Sequence, residues 1–96
     1  MKMLNSMFYE IRSTDDIYGL IGVFESPAKA LEEINRSYKI ALECGFDNRH
    51  EKWVIVRNRT WIRRDDEGNF ASSEVERYVV NRVEFSETAG KFVIVD

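Results

Sequence analysis

Apolar residues recur along this chain with two different periods, and each change of period marks a new element. Ala30, Leu31, Ile34, Tyr38, Ala41 and Leu42 follow one another at steps that keep them on one side of a helix, while Lys29, Glu32, Glu33, Arg36, Lys39 and Glu43 take the other side. Such spacing predicts an α-helix with one packed stripe and one solvated face. Both ends carry signals. Ser26 can accept from the first turn, and Pro27 suits the first helical position because its missing N–H would have no partner there. Gly45 can adopt the left-handed conformation that stops a helix, and Phe46 is expected to fold back on the last turn.

Elsewhere the composition turns to β-branched and aromatic residues. "MFYEIRS" and "IYGLIGVFES" flank "STDD", whose side chains favour a turn, so an N-terminal hairpin is expected. "KWVIVRNRTWIRR", "SEVERYVVNRVEFS" and "FVIVD" read as three more strands, joined by turns at "DDEGN" and "ETAGK". Residues 75–85 also fit helical spacing, but their β-branched enrichment favours a strand. The expectation is one α+β domain over residues 1–96, in the order ββαβββ, with one amphipathic helix packed on one face of an antiparallel sheet.

Alternation assigns faces to these strands. Trp53, Ile55, Arg57, Arg59, Trp61 and Arg63 share one side; Val54, Val56 and Ile62 share the other with Val75, Val79, Val83 and Phe85. A hairpin closed at "DDEGN" sets Arg57 opposite Tyr78, Arg59 opposite Glu76 and Trp61 opposite Glu74, so that opposite charges meet. The valine side is expected under the helix. A single helix leaves the other side open to solvent.

Charge makes that open side conspicuous. The chain carries a net charge of -3, yet residues 52–64 hold five Lys/Arg and no acid, with both tryptophans among them. Trp53, Arg57, Arg59, Trp61, Arg63, Arg64 and Tyr78 are therefore the candidate partner-binding residues. Trp, Tyr and Arg dominate protein interfaces, and an acidic partner surface would suit them. Single-stranded nucleic acid, stacked on the aromatics, is the alternative, although a pI near 5.2 is far from the basic balance of phosphate binders. The third possibility needs no partner: arginines paired with cross-strand glutamates shield a tryptophan with their own stems.

Catalytic chemistry is not indicated. Cys44 and His50 are the only residues of their types, and Cys44 falls in the last helical turn, where a small buried role is expected. No phosphate-cradling loop, paired histidines or nucleophile elbow occurs. Asp15/Asp16 and Asp65/Asp66 suit turns, and Glu32/Glu33 suit the solvated helix face. A non-catalytic module without cofactor or metal is the reading, with a small enzyme or enzyme subunit behind it.

Length and cysteine content set the remaining bounds. Ninety-six residues support one modest core. No apolar run reaches the roughly 18 residues of a membrane span, and the N-terminus lacks a signal-type apolar region. A single cysteine excludes an internal disulfide and fits a reducing, cytoplasmic setting. "FVIVD", with no proline or lysine in its apolar run, would permit a homodimer if it lies at a sheet edge. In type, a compact acidic chain of this kind resembles the small accessory or inhibitor proteins encoded by bacteriophages and mobile elements.

Overall fold

The computed structural model describes residues 1–14 and 22–96, and the elements follow in the order β1 (Lys2–Ser13), α1 (Pro27–Glu43), β2 (Trp53–Arg64), β3 (Phe70–Ser86) and β4 (Lys91–Ile94). The strands form one antiparallel sheet in the spatial order β1-β2-β3-β4. Among the described residues the order is thus βαβββ rather than ββαβββ. The expected second strand is represented by Phe24, which exchanges two 2.9 Å backbone bonds with Tyr9. The expected turn at Asp15/Asp16 and the residues up to Ile21 lie outside the described residues.

Local chemistry accounts for the helix. The Ser26 hydroxyl accepts from Lys29 N–H at 3.2 Å, with Pro27 opening the first turn. At the far end Gly45 has φ +88°, its N–H reaches Leu42 O at 3.0 Å, and Phe46 N–H reaches Ala41 O at 2.8 Å. That pair of bonds satisfies carbonyls the helix would otherwise leave open. Only the backbone of Phe46 folds back, for its side chain is exposed, contrary to expectation.

The β2–β3 hairpin closes on Asp65, whose carboxylate accepts from Glu67 N–H and Asn69 N–H at 2.9 Å, with Gly68 at φ +85°. Its register pairs Arg57 with Tyr78, Arg59 with Glu76 and Trp61 with Glu74, as the charges require. The alternation does not stay in phase along its whole length. Val56 pairs with Val79 and Ile55 with Asn81, so Val80 is an extra residue in β3. Beyond it Val83 stands opposite Trp53, on the other face from Val75 and Val79.

This bulge reverses the expected assignment of faces. The core consists of Ile11, Ala30, Ile34, Trp53, Ile55, Val83 and Phe92, so α1 covers the Trp53/Ile55 side and not the side of Val54, Val56, Val75 and Val79. Tyr38, Phe85 and Phe92 close one end of it with ring centroids 5.2–5.5 Å apart. Val75 and Val79 are exposed.

The helix also covers only part of its own side. From about Arg57 onward β1, β2 and β3 continue as a three-stranded arm, with no other described element over either face. The molecule measures 59 × 24 × 20 Å as a result. At eight residues of about 3.3 Å each, Arg57–Arg64 carry the arm roughly 26 Å past the core.

Candidate binding surface

Alternation beyond Ile55 turns Arg57, Arg59, Trp61 and Arg63 of β2 to the same face as Tyr78, Glu76 and Glu74 of β3. β1 adds Lys2, Leu4, Met7 and Tyr9, paired with Arg63, Trp61, Arg59 and Arg57. Asn5 is the extra residue that keeps this series in phase.

Charge pairing knits the face together around Trp61. Lys2 Nζ lies 3.0 Å from Glu74 and 3.8 Å from Glu76, Arg59 reaches Glu76 at 2.8 Å, and Arg63 reaches Glu74 at 3.0 Å. Lys2 and Arg59 also lie over the indole, 5.0 and 5.5 Å from its centroid. Hydrogen bonds from Lys2 and then Arg63 hold the Glu74 carboxyl below its ordinary pKa. These pairs are largely exposed and screened, so they order the surface more than they stabilise the fold.

Arg57 differs from its neighbours. Among the described residues it has no carboxylate partner, and its guanidinium lies 5.9 Å from the ring centroid of Tyr78, which is 52% exposed. Four cations, Lys2, Arg57, Arg59 and Arg63, thus share the face with two carboxylates, Glu74 and Glu76. Such a face can dock a surface that supplies acceptors and negative charge.

Two of the residues expected here are elsewhere. Trp53 is buried in the core beneath α1, because the helix occupies that end of the same sheet face. Arg64 falls on the opposite face and donates to Gly68 O at 3.1 Å across the turn. Conversely Lys2, Leu4 and Met7 belong to the surface and carried no signal in the sequence. Lys2 is a lone cation far along the chain from the Arg63 it pairs with, and only the sheet order brings them together.

The other reactive side chains stand apart. Cys44 caps α1 and is exposed rather than buried, and His50 is exposed in the following loop. Among the described residues no group of three or more His, Cys, Asp and Glu side chains converges as a metal site would require. No described helix is long and apolar enough to cross a membrane.

On the reverse face of the arm, Asn58 is buried and joins Glu10 to Arg77. Its amide donates to Glu10 at 3.1 Å, its carbonyl accepts from Arg77 Nε at 2.9 Å, and Arg77 also donates to Glu10 directly. Around this network the reverse face carries Met3, Phe8, Val56, Ile62, Val75 and Val79 together with Ser6, Thr60 and Ser73.

Comparison of the chain with protein families, with characterised proteins and with solved structures finds no match.

Proposed function

We propose that this chain is a non-catalytic protein-binding module whose arm docks an acidic partner through the Trp61 face. One observation carries the reading: among the described residues Arg57 stacks on the exposed Tyr78 without a carboxylate, while Lys2, Arg59 and Arg63 are each held by Glu74 or Glu76. Arginine and tyrosine are among the residues most enriched at the energetic centres of protein interfaces. A partner carboxylate would complete the ladder that the sheet leaves one member short. The two glutamates weigh against a phosphate chain, which would run into them as it crossed the indole. A chain that acts only by occupying a partner's surface fits an accessory or inhibitor role of the kind phages and mobile elements encode. Its free, exposed Cys44 suits a reducing compartment.

Arg57→Ala with Tyr78→Ala tests the reading, since Tyr78 is largely solvated and the fold should survive. The expected result is a protein captured from host lysate by the parent chain, resistant to nuclease and displaced by moderate salt. The double variant should bind it more weakly by about 2 kcal/mol or more, roughly thirty-fold in Kd. Equal capture by parent and variant overturns the proposal; capture abolished by nuclease transfers this face to nucleic acid.

A further inference from the structure

Among the described residues the arm has two uncovered sheet edges, and they differ in charge. β1 is an outer strand, and β4 pairs with β3 only over residues 83–86, so β3 is open along residues 73–79. That stretch carries Glu74, Glu76 and Arg77, and charges along an edge deter strand addition. In β4 the outward N–H and C=O of Phe92 are taken by Asn35, at 2.8 and 3.0 Å. β1 has no such protection over residues 3–8, a run without a charged side chain in which Met3, Leu4 and Met7 are about half exposed. The bulge at Asn5 bends this edge but does not cover it.

Bonds at either end of the run fix the direction of its free backbone groups. Tyr9 N–H and C=O both bond Phe24, at 2.9 Å, so they point away from β2. Met7, two residues earlier with no bulge between, points its own groups the same way. Beyond Asn5, Met1 and Arg64 exchange bonds of 3.0 Å, so Met1 and Met3 turn toward β2 while Lys2 and Leu4 turn outward. The side chains of Lys2, Leu4 and Met7 all lie on the Trp61 face. A strand added here widens that face by one strand.

Charge selects the occupant. The cations of the arm stand on the two strands nearer this edge, Lys2 on β1 and Arg57, Arg59, Arg63 and Arg64 on β2, whereas Glu74 and Glu76 stand on β3. A second copy set edge to edge brings five cations against five, with the carboxylates a strand farther away. Pairing β1 with residues 73–79 of a second copy is a head-to-tail contact that does not close, and Glu74, Glu76 and Arg77 deter it. An acidic segment meets the edge favourably. At the bulge, Met3, Leu4, Asn5, Ile62 and Arg64 line a hollow of about 110 Å3, and among the described residues Arg64 has no carboxylate partner. A glutamate entering it lays its methylenes on Met3 and Ile62 and brings its carboxylate to Arg64.

We propose that the outer edge of β1, along residues 2–7, is a strand-addition site for an extended acidic segment of the partner, paired through the backbone of Lys2, Leu4 and Met7. The inference rests on the function proposed above and says how the acidic partner docks.

Met7→Pro removes an outward donor and no bond to β2, so the fold should survive, and Met7→Ala keeps that donor. The probe is a capped decapeptide of alternating glutamate and valine, titrated calorimetrically, with alternating lysine and valine as its counterpart. The parent and Met7→Ala are expected to bind the glutamate peptide and not the lysine one, and Met7→Pro to bind about tenfold more weakly. Should Met7→Pro fail to fold, hydrogen exchange in the parent reads the same pairing: the amides of Leu4 and Met7 should slow about tenfold with the peptide bound. Equal binding by Met7→Pro and Met7→Ala, unchanged exchange, or a parent that binds neither peptide at millimolar concentration overturns the inference. An oligomeric parent beside an 11.3 kDa Met7→Pro monomer also overturns it, giving the edge to a second copy. Capture from lysate weakened by Arg57→Ala with Tyr78→Ala but not by Met7→Pro removes the edge and leaves the function standing; the reverse pattern does the opposite.

Discussion

Among the described residues Asn58 is the polar residue that the fold buries, and its surroundings explain why it is tolerated. Both ends of its amide are bonded, to Glu10 and to Arg77, so no buried dipole is left open. Glu10 responds to this setting in two opposed ways. Desolvation pushes its pKa up, but hydrogen bonds from Arg77, Asn58 and Arg12 outweigh that and hold it below the ordinary value. A carboxylate with a depressed folded-state pKa contributes stability that is present above its unfolded value, about 4.3, and is lost as pH falls through the folded one. Glu10→Gln should therefore flatten the acid limb of the stability curve, so that urea midpoints at pH 3 and pH 6 differ less than in the parent. An unchanged difference would mean that the network carries no charge-dependent stability.

Elements, unlike single residues, were legible in the sequence to the extent that local signals define them. Ser26, Pro27 and Gly45 mark the helix because capping is a matter of adjacent backbone groups. The hairpin register was legible from its charges: Arg59 meets Glu76 and Trp61 meets Glu74 once Ala71 is taken up as an extra residue between the Arg64–Phe70 and Arg63–Ser72 pairs. What failed was phase. A single extra residue, Val80, moves Val83 and Phe92 to one side and leaves Val75 and Val79 on the other, and no composition rule announces a bulge. The surface was legible in β2 and invisible in β1, whose residues meet it only through long-range pairing. The helix contributes one more feature that its amphipathic pattern conceals. Asn35 fills the outward N–H and C=O of Phe92 in β4 with two hydrogen bonds, so Asn35→Ala should cost about 1–2 kcal/mol in chemical denaturation. A variant with parental stability would show that water replaces the amide without loss.

At the scale of the whole molecule the sheet has two regimes. Near the helix it is packed on Ile34, Ile55 and Val83; along the arm the three strands are held by their backbone ladders, to which the exposed cross-strand ion pairs add little. Local opening should follow that division, because few buried apolar contacts hold the arm within one chain. Hydrogen exchange at low micromolar concentration should find amides of Ser73–Arg77 at least tenfold faster than those of Arg82–Phe85. Uniform protection under those conditions would mean that the arm draws on the core more than its contacts indicate.

The sheet order also imposes an order in time. β2 and β3 are joined by a short turn and can pair as soon as both exist, but the outer reaches of β1 wait for Arg63, the partner of Lys2. During synthesis at about 5–20 residues per second, the interval between those two residues lasts roughly 3 to 12 s. Until Arg63 has followed, "MKMLNSMF", with one charged side chain in eight residues, lacks the strand it pairs with in the finished arm. An unpaired strand edge of this kind is what makes a partly made chain prone to associate with others, so the arm is vulnerable before β2 is complete.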